Sequence, residues 1–385
     1  MYINFWYAAD WSRNIGAEPR RLRMLGQDFV LYRESGGQVR CHANVCVHRG
    51  GSLAGGRLEH DRIACPYHGW QYDGAGICRK IPALGPTGQR RIPGRARIDT
   101  YPVEERYGLV HVFLGDLPES ERPPIMAIPE FGQPGWHASC EDHSSEGDFR
   151  RNIENGLDPA HNEYVHPTHG FSGARDEYFV PELKIDRHPW GSGFITQYYS
   201  PPLKDEKMQA ASGRSHDATI EAGTHHHGPT CMITSIRPTA EHFINQNVFK
   251  TPTDSRHQRS FLVQTRNFLL GEEHDPRFLS RNAVVRDQDR VVLADQEPYF
   301  TPDTNTNELL VHSDLAVATY REYLRDWDRR GWRIDSARVE ADRPHRTYAI
   351  PGPARRREPH GWVIDPVPLL KVEAAADLKR TPAAD

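Results

Sequence analysis

Two short segments, CVHRG at 46–50 and CPYHGW at 65–70, constrain this chain more than any other part of it. Each pairs a cysteine with a histidine, spaced Cys-x-His in the first and Cys-x2-His in the second. Cys46, His48, Cys65 and His68 therefore offer two thiolates and two imidazoles from two loops. Sulfur and nitrogen donors in that ratio suit a metal centre. Zinc can take all four in one tetrahedron, and a two-iron, two-sulfur cluster takes the same set with both cysteines on one iron and both histidines on the other. The flanks favour iron. Gly50, Gly51, Gly55, Gly56, Gly69, Gly74 and Gly76 crowd the two segments, as expected where backbone must approach closely and point N–H groups at sulfur.

The longer strings CVHRGGSLAGG and CPYHGWQYDGAG resemble the cluster loops of Rieske non-haem iron oxygenases. That resemblance implies a [2Fe-2S] Rieske cluster held by Cys46, His48, Cys65 and His68. Rieske proteins of respiratory complexes carry a further, bridged cysteine in each loop; neither loop here has one, which points to the oxygenase type. Cys41, Cys78, Cys140 and Cys231 are scattered along the chain, a usage that fits a reducing compartment better than a disulfide framework.

With 385 residues the chain has room for two domains, each able to bury a core. Short β-rich runs separated by turns fill the first part: DFVLY at 28–32, a Gly36-Gly37 turn, QVRC at 38–41 and LVHVFL at 109–114. The proline-rich, acidic stretch at 118–134 reads as the boundary. The expectation is thus an all-β domain over 1–118 and a second domain over 119–385. A net charge of -4 with both signs interspersed argues against nucleic acid. The N-terminus has no basic, aliphatic leader, and no run reaches the 18 or so apolar residues of a membrane span. A soluble, cytoplasmic protein is expected.

In the second domain residues 146–166 read as helical, with strands at 193–199, 232–236 and 261–268. Residues 205–229, rich in Gly, Ser and His, read as a mobile loop. His225, His226 and His227 within it are consecutive and so cannot share one face; a solvated or gating role is expected of them. Ser313 or Asp314 caps a helix that stops at Gly331, whose Tyr320, Tyr323, Leu324 and Trp327 recur at helical spacing and read as core. The tail after Leu370 is polar and expected to be poorly ordered.

A second constellation, ENGLDPAHNEYVH at 154–166, places one carboxylate and two imidazoles within nine residues. On a helix Asp158 and His161 lie about 60° apart and His166 about 140° from His161, so both imidazoles reach one metal only if the helix ends, tightens or bulges. Pro167 gives a reason for an ending. His169 is an alternative to His166. The segment resembles the Asn-x2-Asp-x2-His-x4-His motif of the same oxygenases, particularly single-chain members that hydroxylate or demethylate. Two histidines leave a ferrous site wanting one carboxylate. In VVRDQDRVVLADQ at 284–296, Asp289 alone among the acids shares a helical line with Val285, Val292, Leu293 and Gln296, with Asp295 and Glu297 as alternatives. The stretch resembles the family's Asp-bearing helix, which usually reads Glu-Asp where this chain has Gln288-Asp289; that change is expected to matter little to ligation. Glu154 and Asn155 read as caps or as parts of a network.

Taken together, the resemblance implies an α+β chain, with the Rieske domain followed by a helix-grip domain in which an antiparallel sheet wraps a long C-terminal helix. It implies a terminal oxygenase that uses O2 and two external electrons to hydroxylate, or O- or N-demethylate, a small organic substrate. Mononuclear Fe(II) would sit on His161, His166 and Asp289. No nucleotide fingerprint is present, so an NAD(P)H-dependent reductase, with or without a ferredoxin, is implied. The family also implies a homotrimer in which Asp158 bridges His161 to His68 of a neighbour. Cis-dihydroxylation is the rival within the family, and a Rieske electron carrier without its own catalysis is the rival outside it.

Overall fold

The computed structural model describes residues 1–169, 171–174, 178–200, 202–203, 206–213, 218–355 and 364–371. The expected fold class holds: a mixed α+β chain with an all-β first part and an antiparallel sheet with helices after it. Three small antiparallel sheets build the first part. Phe5–Trp11 and Val103–Arg106 flank Leu109–Leu114, a run of LVHVFL whose six residues are all buried because it is the middle strand. Gln27–Arg33 and Val39–Ala43 form the hairpin read from the sequence, turned by Gly37 at φ +88°, a conformation that favours glycine. The third sheet contains Arg57–Glu59, Arg62–Ala64, Gln71–Tyr72 and Cys78–Lys80. The Cys65 loop joins its second and third strands, and the Cys46 loop leaves the end of Val39–Ala43.

The second part is built on one long antiparallel sheet in the order His137–Glu146, His257–Arg266, Ile244–Pro252, Cys231–Arg237, Ala218–His227, Gly191–Gly193 and Asp186–His188. Side chains alternate across a strand, and here alternation divides two tasks. On Ile244–Pro252, Phe249 packs its ring against Tyr107 and His111, and Thr251 donates from Oγ1 to Ala8 O at 2.7 Å. Ile244, Gln246, Val248 and Lys250 face the opposite way and line a cavity. One face of the sheet therefore docks the first part of the chain while the other serves the site.

Residues 205–229 were expected to be a mobile loop, and the described portion is not one. Glu206–Ser212 is a helix, and Ala218–His227 is a strand paired on both sides; Asp205 and residues 214–217 lie outside the described residues. His226 is a core histidine. Its Nε2 meets Ser192 Oγ at 3.0 Å, its Nδ1 meets Gly228 O at 3.0 Å, and its ring packs on Tyr320 and Tyr323. The strand expected at 193–199 is split into Gly191–Gly193 and Thr196–Ser200. The tail beyond Lys371 lies outside the described residues. Among the described residues no helix is long and apolar enough to cross a membrane.

The helix expected over 146–166 is two helices, Phe149–Leu157 and Asn162–Val165. Asp148 caps the first by accepting from Arg150 N. The C-terminal helix Leu315–Arg329 buries Tyr320, Leu324 and Trp327, as its spacing suggested. Its Arg321 crosses to the Phe149–Leu157 helix and meets both Glu154 oxygens at 2.8 Å, and Glu308 at 2.7 Å, with the Arg321 and Glu154 side chains almost wholly buried. Glu154 is thus the network residue. Removing one member of a buried pair strands the other charge, which costs about 3–5 kcal/mol. Arg321→Met is expected to lower the unfolding midpoint accordingly; a thermal melt coincident with that of the unsubstituted protein would show that the pair does not pin this helix.

Candidate metal centres

The two cysteine loops are conformational twins. Cys46 N–H donates to Gly51 O at 2.8 Å and Gly50 N–H to Cys46 O at 2.9 Å; Cys65 N–H donates to Trp70 O at 2.8 Å and Gly69 N–H to Cys65 O at 2.9 Å. Gly50 and Gly69 occupy equivalent corners at φ +73° and +67°, where a side chain would be strained. The loops touch at their bases: a Cβ on Gly51 would lie 3.0 Å from Cys65 Sγ. Cys46 and Cys65 are buried, whereas His48 and His68 are exposed at the tip, their ring centroids 4.5 Å apart. Trp70 stacks on His48 at 4.6 Å and Tyr72 Oη lies 3.1 Å from Cys46 Sγ. Neither contact was anticipated from the sequence.

These residues fit a two-iron cluster. Burial pushes the Cys46 thiol up to about 11, opposed by the Tyr72 hydroxyl, so a thiolate there requires cationic charge beside it. Sulfur inside and imidazole outside gives the cluster an inner and an outer iron. A single tetrahedral zinc would draw all four donors to one point. Among the described residues, the one group of three or more metal-ligating side chains that converges closely enough for a single ion lies elsewhere.

That group is His161, His166 and Asp289, with donor atoms all within 4.8 Å of one another. The break that the sequence required falls at Asp158, which leaves helical geometry at φ -98°, ψ 110° and ends the first helix. His161 and His166 then flank a single helical turn, and His166 itself is at φ -113°, ψ 70° before Pro167. The two Nε2 atoms lie 3.1 Å apart, and Asp289 Oδ1 lies 3.6 Å and 3.2 Å from them. The His169 ring lies tilted against that of His166, centroids 5.0 Å apart, and is outside the group. Asp295 and Glu297 are outside it as well.

The outward nitrogens explain why this convergence suits a metal. His161 Nδ1 lies 2.6 Å from the backbone oxygen of Asp158, and His166 Nδ1 lies 3.1 Å from Gln288 Oε1. Each acceptor takes the Nδ1 proton, so both Nε2 atoms present lone pairs. Asp289 Oδ1 is buried and has no hydrogen-bond donor. Two lone pairs and a carboxylate oxygen facing one another repel unless a cation lies between them, so the residues fit a ferrous ion. Gln288 lies outside the ligand group, yet its amide oxygen faces His166 Nδ1 and also accepts from Thr168 Oγ1 at 3.2 Å, a part that a carboxylate oxygen at this position would equally play.

The Asp158 carboxylate does not hold His161 closely. Its Oδ2 is 3.7 Å from Nδ1, and its Oδ1 accepts Ala160 N–H at 2.7 Å, while the side chain remains 28% exposed. Burial raises this carboxyl's pKa and His161 opposes the rise. The triad opens on a cavity of about 710 Å³. Phe194, Met232, Ile244, Val248, Leu262 and Phe268 supply much of its apolar wall, as expected of a small-molecule site.

The chain matches two family models, a Rieske [2Fe-2S] domain over residues 5–102 and a vanillate O-demethylase oxygenase C-terminal domain over 145–330. It is similar to the 4beta-methylsterol monooxygenase of Methylococcus capsulatus, 34% identical over 169 residues that cover 43% of this chain and 45% of the relative. It is also similar to the toluene-4-sulfonate monooxygenase system iron-sulfur subunit TsaM1 of Comamonas testosteroni, 33% identical over 216 residues covering 55% and 59%. The chain thus spans about half the length of these curated relatives. Its fold is that of Pseudomonas putida CBB5 NdmA with caffeine, with a TM-score of 0.68 at 23% identity over 84% of this chain and 90% of that one. Twin cysteine loops, a separate two-histidine, one-carboxylate group and matches to both domain models lead to one conclusion: the chain belongs to the Rieske non-haem iron oxygenases.

Proposed function

We propose that this chain is the terminal oxygenase of a Rieske system, hydroxylating or O- or N-demethylating a small aromatic or cyclic substrate with O2 and two electrons from a separate NAD(P)H-dependent reductase, directly or through a ferredoxin. The observation that carries this reading is the His161, His166 and Asp289 group opening on a mainly apolar cavity, in a chain that also has the cluster loops. An electron carrier needs neither group nor cavity. Monooxygenation is favoured over cis-dihydroxylation by the match to a demethylase C-terminal domain and by the names of the two monooxygenase relatives.

In this reading Cys46, His48, Cys65 and His68 hold the cluster, and His161, His166 and Asp289 hold the ferrous ion. When bound, the cluster supplies electrons singly and the ion supplies open positions for dioxygen. The protein's own part is orientation and exclusion. Asp158 O and Gln288 Oε1 fix both imidazole tautomers, and the apolar wall keeps bulk water from the reacting centre. His68 is exposed, and the part-exposed Asp158 carboxylate is available to a neighbour. A head-to-tail homotrimer would join these two residues, with Asp158 as the bridge. The domains divide after residue 118 in this reading, which the matches over 5–102 and 145–330 on either side of that point support.

Three outcomes test the assignment. His161→Ala or Asp289→Ala is expected to remove the mononuclear iron and leave the visible absorption of the cluster; normal iron content in the Asp289 variant would exclude it as third ligand. Asp158→Asn should keep both metals while losing most turnover, and full activity with full iron would refute the bridge. Gln288→Ala should weaken iron binding by about 10- to 100-fold, as loss of an orienting partner does elsewhere, with Gln288→Glu restoring part of it. Unchanged iron affinity in a chelator competition would show that Gln288 does not orient His166.

A further inference from the structure

Lys250 is the cavity group that the oxygenase reading leaves without a task. It is 7% exposed, lies on the cavity face of the Ile244–Pro252 strand, and its side chain lines the cavity. No carboxylate pairs with it and no acceptor receives its ammonium among the described residues. The arginines of the wall are committed: Arg286 to Glu141 at 3.0 Å, Arg151 to Glu308 at 2.8 Å and Arg290 to Asp287 at 3.5 Å, and Arg281 is also partnered. A buried unpaired ammonium opposes folding, so its presence in a site asks for a ligand.

The surroundings make that ligand negative. Register places His143, Ser260 and Lys250 side by side across three adjacent strands. His143 Nδ1 and Ser260 Oγ are buried without hydrogen-bond partners, so a polar row runs across these strands, and His143 and Lys250 of it line the cavity. Burial, with Arg286 and Lys250 nearby, pulls His143 down to about 3 and keeps it neutral. Burial lowers Lys250 to about 8 against the opposing pull of Asp289, and an anionic group beside it would favour the ammonium form. The carboxylate acting most strongly on Lys250 is Asp289, which the ferrous ion would claim. A ferrous ion on two neutral imidazoles and one carboxylate leaves net positive charge, and Lys250 adds to it.

We propose that the cavity takes a substrate bearing an anionic group, a carboxylate or a sulfonate, and that Lys250 binds this group. The claim rests on reading the cavity as the substrate site, and it narrows the substrate class. Apolar walls take the ring or alkyl body, and the ammonium fixes one end of it beside the triad.

The test is calorimetric titration of the anaerobic holoenzyme with matched pairs, benzoate against benzamide and benzenesulfonate against benzenesulfonamide. The unsubstituted protein is expected to bind at least one anion about tenfold or more tighter than its amide, the scale of a charge-assisted hydrogen bond. Lys250→Met should abolish that preference, and Lys250→Arg should keep part of it. Because the substitution removes a buried unpaired charge, Lys250→Met should also melt no lower than the unsubstituted protein. Amides binding as tightly as anions, no binding by either anion, a preference that survives in Lys250→Met, or marked destabilisation of that variant would each overturn the proposal. Iron content and cluster absorption on the same samples report separately on the oxygenase reading, since its failure would show there and not in the anion preference.

Discussion

Mutual repulsion among three electron-rich atoms governs the second half of this protein. His161 Nε2, His166 Nε2 and Asp289 Oδ1 are brought together from a short helical turn and from a helix more than a hundred residues later. Nothing in their own chemistry favours that meeting without a cation. The protein supports it from behind, with an acceptor on each outer imidazole nitrogen and a buried ion pair, Glu154 with Arg321, fixing the helix that leads into the turn. The backbone break at Asp158 belongs to the same arrangement. Had the helix continued, His161 and His166 would have diverged around its circumference, and no side-chain rotation would have brought both to one ion.

The large sheet connects this centre to the rest of the molecule through its two faces. Phe249 and Thr251 face the first domain, and Trp11 packs its ring on Phe261 while donating from Nε1 to Asp142 at 2.6 Å. Val248, Lys250 and Leu262 face the cavity on the same strands. A strand between two packed layers has no solvent face, so a residue shift in register would exchange the interface set with the cavity set. The ten-residue ladder between His137–Glu146 and His257–Arg266, reinforced by those cross-domain contacts, specifies one register. The placement of the cavity wall is therefore a consequence of how the first domain docks.

What could be read from the sequence follows the range of the interactions involved. The cluster loops and the two histidines are local patterns, so spacing alone isolates them, and the proline after His166 marks the change in backbone. Asp289 is a weaker case. The helix wheel placed it on an apolar line, yet Val292 on that line is 47% exposed and Asp289 faces a cavity instead of a packed core; it converges with His161 and His166 although the burial argument was only partly right. The contact of Gln288 with His166, 122 residues away, is invisible to any local pattern. Residues 218–227 were misread from composition, because strands on both sides impose β geometry on a segment that its Gly and His content does not favour. Lys250 sits in an alternating stretch that signals a strand and says nothing about which face meets a cavity.

Asp158 divides its contacts between backbone and side chain. Its backbone oxygen fixes the tautomer of His161, a task that depends only on the chain leaving the helix at that point and that any residue with the same φ and ψ would perform. Its carboxylate, by contrast, accepts Ala160 N–H with one oxygen and leaves the other part-exposed at 3.7 Å from His161. The geometry of the iron ligands is thereby insulated from the side chain. A change of charge at the carboxylate can alter what reaches the centre from outside while leaving the lone pair of His161 aimed where it was. The part-exposed acid and the orientation of the imidazole beneath it are thus set by different atoms of one residue.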